Sequence, residues 1–168
     1  KSTVTDYIVG QGFERIYFGG LTLEKVMELG LEPGEESERT VREQLRREHG
    51  MAAYALLNIP KIRRALERKD VIIDGLYSWE EYCVLRDEFS ELEVLAVYAP
   101  PRLRYQRLAS RKERPLTEAE ARSREITQIE NINQAGPIAM ADWTFINTGS
   151  TKDLISAVEG YLNGKKNS

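Results

Sequence analysis

The chain has 168 residues, of which 41% are hydrophobic and 30% charged, so it can bury the core of a compact globular domain. Its formal net charge of -3 gives no general attraction to nucleic acid or to an anionic membrane, and no apolar stretch is long enough to cross a bilayer. One cysteine and one histidine exclude a disulfide framework and the usual zinc sites, and such cysteine usage predicts a cytoplasmic protein.

The first part of the chain is predicted to alternate helices with short strands. Apolar periodicity predicts helices over 4–9, 21–29, 37–49 and 51–68, with a strand over 15–18 between the first two. Ser37 is predicted to cap the third of these helices, and Pro60 to kink the fourth. Next comes Val71-Ile72-Ile73, whose β-branched apolar residues predict a strand buried on both faces.

The second part continues the alternation. Ser78 with Glu81, and Thr117 with Glu120, form two capping-box patterns that predict helix starts. Strands are predicted over 93–98 and 143–146. Helices are predicted over 103–111, from 117 to about 133, and over 151–162. Gly136-Pro137 is predicted to stop the second of these helices. Strands alternating with helices indicate an α/β fold with a parallel sheet and helices on both faces, and no linker divides the chain into two domains.

The strand predicted over 71–74 ends in a carboxylate. In open parallel sheets, ligands bind outside the carboxyl ends of the strands, so Asp74 is a candidate to face a metal ion or a phosphate-bearing ligand. The alternative is an Asp-Gly turn, Asp74-Gly75, that only ends the strand.

The opening tripeptide matches the end of a phosphate-binding loop. In such a loop the lysine places its charge on the terminal phosphates, and the serine or threonine hydroxyl holds Mg²⁺. Lys1-Ser2-Thr3 before a short helix fits this pattern, although an ordinary solvated helix start explains a single tripeptide equally well. Together with Asp74, which can accept hydrogen bonds from the waters of the metal, it predicts a site for ATP and Mg²⁺.

The chain resembles the small P-loop kinases, most of all the dephospho-CoA kinase and adenylate-kinase-like group, and is closest to its uncharacterised archaeal-type members. Four stretches carry the resemblance: 1–3; 31–33 with 47–52; 71–78; and 141–143 with 147–150. It implies a three-layer P-loop NTPase fold in one domain, with a helical lid over roughly 107–125. It also implies that a first strand and a glycine-rich loop precede residue 1.

The resemblance also implies a base-binding loop. The segment 141–150 is similar to the one that leads into the nucleobase loop of these kinases. Asn147 and the backbone of Thr148 and Gly149 are therefore expected beside adenine, and Arg107 near the base or the phosphates.

A cationic segment follows the predicted strand over 93–98. Arg107 and Arg111 lie four residues apart on one helix face and match the R-L-x-x-R that opens the family's lid. Converging guanidinium groups stabilise the charge of a migrating phosphoryl group, so Arg111 is predicted to act there with Arg107 or Arg114. Solvated, salt-bridged helix positions are the favoured interpretation of the neighbouring arginines Arg102, Arg104, Arg122 and Arg124. A surface position is likewise favoured over a general base for His49.

Two departures from the family pattern concern the acceptor. Many members carry an acid after the second strand, where this chain has Phe18-Gly19-Gly20, and a basic residue where it has Tyr77. Two functions therefore stay open. One is an ATP- and Mg²⁺-dependent phosphotransferase acting on a small-molecule acceptor such as a nucleoside monophosphate or dephospho-CoA; the other is a nucleotide-binding switch without kinase activity. Nucleic-acid binding by 102–124 is disfavoured, because Tyr105 is its only aromatic residue. No membrane partner is expected, and the oligomeric state stays open.

Overall fold

A computed structural model describes residues 1–112 and 115–166, so Arg114 lies outside the described residues. The described chain is mixed α/β. Its elements are α1 (Ser2–Gly10), β1 (Glu14–Tyr17), α2 (Gly20–Glu28), α3 (Glu35–His49), α4 (Ala53–Leu66), β2 (Val71–Asp74), α5 (Trp79–Glu88), β3 (Leu95–Tyr98), α6 (Pro101–Ala109), α7 (Glu118–Ile132), α8 (Ala135–Ala139), β4 (Trp143–Ile146) and α9 (Thr151–Lys166). Within the described ranges, none of the helices combines the length and apolar character needed to span a membrane.

The chain separates into two compact units. One is the Ile8–Leu92 unit; the other, which we call the C-terminal unit, contains residues 1–7 and those from 93 onward. Each unit contains a parallel pair of strands, β1 with β2 in the first and β3 with β4 in the second. The strand alternation therefore predicted parallel pairing correctly. The prediction that the whole chain is one domain stays a prediction.

The Ile8–Leu92 unit has its core on one face of the β1–β2 pair. Ile16 of β1 is opposite Ile73 of β2 in the register, and both pack in a cluster with Phe18 and the buried face of α4. Because side chains alternate along a strand, Arg15 and Asp74 belong to the opposite face. This face places a cation and an anion at neighbouring positions of the two strands.

The core of the C-terminal unit lies between β4 and α9. Phe145 of β4 is buried and meets Tyr161 of α9 edge to face, with ring centroids 5.7 Å apart, beside the buried Val158. The ladder continues past the strand end, where the Asn147 amide donates to the Tyr98 carbonyl at 2.7 Å. The strand order of this pair thus brings the loop after β4 to the carboxyl end of β3.

Several helix boundaries differ from the sequence prediction. Ser37 does not cap α3; the helix begins at Glu35, and the Ser37 hydroxyl donates to the carbonyls of Glu32 and Gly34. Three glutamates in the first turn favour the earlier start, because they interact favourably with the positive end of the helix dipole. Helix α6 ends at Ala109, so Arg111 lies beyond it.

The break predicted at 136–137 is also wrong. Helix α7 ends at Ile132, close to the predicted end near 133, and Asn133 after it has a φ of 53°, the left-handed conformation that commonly stops a helix. Pro137 lies inside the short α8. Strand β2 is half-buried at Val71 through Ile73 rather than buried on both faces, whereas Asp74 is fully buried. Both predicted capping boxes, at Ser78 and Thr117, are confirmed.

Candidate functional site

The last residue of β2 carries the most buried carboxylate on this sheet pair. Asp74 is 2% exposed, and its Oδ2 forms a salt bridge with the guanidinium of Arg15 on β1. The side chain of Arg15 is 37% exposed, so the pair joins a buried anion to a partly solvated cation. Such a charge partner offsets the desolvation cost of a carboxylate this deeply buried. Arg15 is a site residue that sequence reasoning missed, since nothing local links it to Asp74.

The turn after Asp74 requires a glycine. Gly75 has φ of 119°, which side-chain-bearing residues rarely adopt, and a Cβ there would lie 3.3 Å from Cβ of Phe18. The backbone therefore passes close to the end of β1. This close approach fixes the direction in which the chain leaves the acid.

The segment following Gly75 is held by Glu81. Its Oε2 accepts hydrogen bonds from the amides of Tyr77 at 3.0 Å and Ser78 at 3.1 Å, and the Ser78 hydroxyl donates to the Met51 carbonyl at 2.9 Å. Burial raises the pKa of the Glu81 carboxyl, while the two backbone hydrogen bonds act in the opposite direction. Tyr77, at the family's basic position, is thus fixed through its amide.

Tyr17 packs over Gly19, one of the residues after β1 where many members of the family carry an acid. A Cβ on Gly19 would overlap the phenol of Tyr17, so a side chain there requires Tyr17 to move. The Tyr17 side chain is about half exposed, and the Arg15 guanidinium carbon lies 5.6 Å from its ring centroid. Tyr17 therefore occupies the space beside Gly19 and contacts the cation that pairs with Asp74.

The opening tripeptide is exposed at the start of α1. The Lys1 carbonyl accepts hydrogen bonds from the amides of Val4 at 3.0 Å and Thr5 at 3.1 Å, and the helix begins at Ser2, two residues before the predicted start at Val4. Ser2 and Thr3 occupy its first turn, where backbone amides have no partner within a helix. Lys1 belongs to the C-terminal unit and Asp74 to the Ile8–Leu92 unit.

Three of the predicted nucleotide-binding residues meet in the C-terminal unit. Arg107 of α6 donates from Nη1 to the Asn147 carbonyl at 2.8 Å and from Nη2 to the Gly149 carbonyl at 3.3 Å. Thr148 lies between these two residues and is exposed. Arg107 therefore contacts the backbone of the predicted base-binding loop directly.

The same loop ends in a cap that sequence reasoning missed. Asp153 accepts from the Ser150 amide at 2.9 Å and from the Ser150 hydroxyl at 2.7 Å, and these hydrogen bonds lower the pKa of Asp153. A Cβ on Gly149 would approach Asp153 Oδ2 to 2.8 Å, so this glycine lets the cap close. The spacing S-x-x-D was the available signal.

The arginines of the cationic segment differ in their surroundings. Arg104 forms a two-point salt bridge to Glu125 of α7, at 2.6 and 2.7 Å, and Tyr105 donates to the same carboxylate at 2.9 Å. This confirms the structural interpretation of Arg104. Arg111 is exposed, and no described side chain forms an ion pair with it.

The described residues contain no group of three or more histidine, cysteine, aspartate or glutamate side chains that could hold a metal ion. Mg²⁺ does not require such a group, because it binds through one or two protein oxygens, phosphate oxygens and waters. The buried carboxylate of Asp74 and the hydroxyl of Ser2 are donors of the type that Mg²⁺ prefers. His49 is exposed, and its Nε2 lies 3.9 Å from Oε2 of Glu48, which agrees with the surface interpretation.

Similar proteins were found in archaea. The chain is 34% identical over 164 residues to a UPF0200 protein of Thermococcus gammatolerans, an alignment that covers 95% of this chain and 86% of that protein. The chain belongs to the UPF0200 family. UPF0200 proteins of Thermococcus kodakarensis and Aeropyrum pernix are each 32% identical to it, over 95% and 92% of this chain and 88% and 81% of their own lengths. None of these names states an activity or a ligand, and no protein-family model matches the chain.

Membership of the UPF0200 family confirms the archaeal part of the resemblance. The P-loop kinase assignment, the three-layer fold and the lid stay predictions.

Proposed function

We propose that this UPF0200 chain is an ATP- and Mg²⁺-dependent phosphotransferase with the three-layer P-loop fold. The observation that carries the proposal is the buried Asp74 carboxylate at the carboxyl end of a parallel strand, where α/β proteins bind their ligands. A structural acid would end a strand equally well in solvent, at no cost in desolvation. Burial of this carboxylate against a cation is typical of a site built to hold positive charge.

The proposal gives the opening tripeptide its chemistry. Lys1 supplies positive charge to the terminal phosphates, and Ser2 supplies a hydroxyl to Mg²⁺. Thr3 forms part of the phosphate loop, and Asp74 accepts hydrogen bonds from the waters of the metal. Bound Mg²⁺ supplies charge neutralisation on the phosphates. The exposed start of α1 supports this assignment, because helix amino termini favour anions.

The contacts of Arg107 support a base-binding role for the loop after β4. The guanidinium bonds the carbonyls of Asn147 and Gly149 and so fixes the path of the loop. A fixed loop presents its amides and carbonyls to adenine in one arrangement, which favours binding without ordering cost. We assign Asn147, Thr148 and Gly149 to the base.

The exposed Arg111 is assigned to the transferring phosphoryl group, together with Arg114. An arginine without an ion pair among the described side chains keeps its full charge available for a phosphate. The proposed lid, over roughly 107–125, brings these residues to the phosphates on closure and excludes water.

The acceptor class in this proposal is a nucleoside monophosphate first and dephospho-CoA second. One observation favours the second candidate function, a nucleotide-binding switch. The residues that follow β1, Phe18-Gly19-Gly20, include no acid to orient or deprotonate an acceptor, and Tyr17 packs over Gly19. A nucleotide-binding switch requires the residues that bind ATP and does not require an acceptor site.

A substitution at the end of β2 tests the metal assignment. Asp74→Asn is expected to lower acceptor-stimulated ADP release about 100-fold or more, since it removes the anion that holds the metal waters. Asp70→Asn is the matched control, because Asp70 is exposed just before the same strand and loses the same charge.

The readout is a coupled ADP-release assay with a panel of nucleoside monophosphates and dephospho-CoA, with ATP binding by calorimetry. Loss of turnover in Asp74→Asn and in Lys1→Ala, with turnover kept in Asp70→Asn, supports the kinase. Tight Mg²⁺-dependent ATP binding without an effect of any acceptor supports the switch. Equal ATP binding by Asp74→Asn and by the unsubstituted chain overturns both.

A further inference from the structure

The salt bridge between Arg15 and Asp74 bears directly on how the proposed metal site is filled. We propose that Arg15 is a resident counter-ion of Asp74 that Mg²⁺ must displace, so that this arginine sets the metal concentration at which the site fills. The inference rests on the proposed function, because it takes Asp74 as the metal-side acid. It concerns a residue outside the motifs that suggested a kinase.

The position of the acid explains why it needs a resident cation. Asp74 is 2% exposed, and an unpaired carboxylate at that depth would strongly favour unfolding or protonation. In the register of the pair, Arg15 is opposite Ile72 and Tyr17 is opposite Asp74. Arg15 therefore lies on the face of Asp74, two positions earlier, and its long side chain reaches forward along the strand to the carboxylate.

The surroundings of Arg15 allow it to leave. Its side chain is 37% exposed, and its guanidinium carbon lies 5.6 Å from the ring centroid of Tyr17, which is itself half exposed. The ring face gives the cation a second favourable position beside the site.

The two cations compete for the same carboxylate. A guanidinium on Asp74 Oδ2 blocks the approach of a hydrated Mg²⁺, and two cations on one buried carboxylate repel each other strongly. Metal binding therefore includes the cost of breaking the ion pair. Removing the charge of Arg15 removes that cost, so the variant should bind the metal more tightly.

The test measures Mn²⁺ binding by electron paramagnetic resonance, with and without ATP, in Arg15→Met. We expect the dissociation constant to fall about tenfold relative to the unsubstituted chain, as for the loss of a competing buried ion pair. Arg68→Met is the matched control: Arg68 also pairs with a β1 residue, Glu14, but its side chain is 66% exposed and its partner is not Asp74. It should leave Mn²⁺ binding unchanged.

A second readout uses thermal unfolding. Arg15→Met in EDTA should unfold at a lower temperature than the unsubstituted chain and should gain more from added Mn²⁺, because the metal then replaces the missing cation. Unchanged or weaker Mn²⁺ binding by Arg15→Met overturns the inference. If that variant does not fold, Arg15→Lys is measured instead; its looser ion pair should give tighter Mn²⁺ binding than arginine, and equal or weaker binding overturns the inference.

Asp74→Asn separates failure of this inference from failure of the proposed function. If Asp74→Asn binds Mn²⁺ with ATP as well as the unsubstituted chain does, Asp74 does not serve the metal and the proposed function fails. If Asp74→Asn loses the binding while Arg15→Met gains none, only the role of Arg15 is wrong.

Discussion

Two buried acids of the Ile8–Leu92 unit illustrate how surroundings decide the role of a carboxylate. Asp74 pairs with a guanidinium, whereas Glu81 accepts hydrogen bonds from the amides of Tyr77 and Ser78. Both are at most 2% exposed. The Asp74 carboxylate is in a direct salt bridge with a guanidinium, whereas Glu81 is held by backbone amides with an additional electrostatic contribution from Arg46. Glu81 therefore serves the turn, and Asp74 is the better candidate for a cation.

Glu81 gives a prediction about pH. Burial raises its pKa above the ordinary 4.5, so the folded state holds the proton to a higher pH than the unfolded state does. The contribution of Glu81 to the free energy of unfolding is therefore most favourable below the ordinary pKa and declines as pH rises through the folded pKa. Glu81→Gln keeps an acceptor for both amides and removes this decline.

The measurement is urea unfolding of Glu81→Gln at a series of pH values from 4 upward. The stability of the variant relative to the unsubstituted chain should increase with pH. Glu91→Gln removes one exposed charge nearby and is the control. A constant difference across the series would contradict the prediction.

At the scale of elements, α6 and α7 are joined by one carboxylate. Glu125 of α7 accepts two hydrogen bonds from Arg104 and one from Tyr105, both on α6. The planar guanidinium matches the two carboxylate oxygens, so the pair fixes orientation as well as distance. These helices flank the segment to which the proposal assigns the phosphoryl group, and the salt bridge holds the two helices together.

Breaking this joint should cost stability in a pH-dependent way. The hydrogen bond from Arg104 lowers the pKa of Glu125, so the stabilisation is present above the ordinary pKa of 4.5 and is lost as pH falls through the folded pKa. We expect Glu125→Gln to lower the free energy of unfolding by about 1 kcal/mol at pH 7, since the pair is partly solvated.

Glu130→Gln is the control for that measurement, because Glu130 is exposed on the same helix. The two variants should differ near neutral pH and converge in acid. Equal unfolding curves near neutral pH would show that the joint contributes nothing.

At the scale of the whole molecule, the proposed function predicts stabilisation by the nucleotide. A ligand that binds only the folded chain adds about 2.7 kcal/mol at a hundred times its dissociation constant. ATP with Mg²⁺ should therefore raise the melting temperature of the chain, and ATP with EDTA should raise it less. Differential scanning calorimetry measures both.

Asp74→Asn should abolish the difference between Mg²⁺ and EDTA, because that difference comes from the metal. Guanosine and cytidine triphosphates serve as ligand controls for the base-binding loop. No shift with any nucleotide triphosphate would contradict the nucleotide-binding proposal as a whole.

The sequence by itself determined the order of the elements other than α8, both predicted capping boxes and the parallel, alternating α/β pattern. The elements follow from the periodicity of apolar residues, and the capping boxes follow from hydrogen bonds between residues three apart. Both signals lie within a short stretch of sequence. Ser37 was assigned wrongly because the acidic residues on either side of it also favour a helix start. Helix α8 was missed because Gly136-Pro137 is typical of a break.

Only the tertiary structure decided the partners of the site residues. Arg15 is 59 residues from Asp74, and Arg107 is 40 residues from Asn147, so no local pattern links either pair. The register of β1 and β2 brings Arg15 to Asp74. The packing of α6 beside the loop after β4 brings Arg107 to Asn147. The partner of a charged side chain depends on how deeply the charge is buried and on which distant residues it contacts. Both are defined only when the strands align.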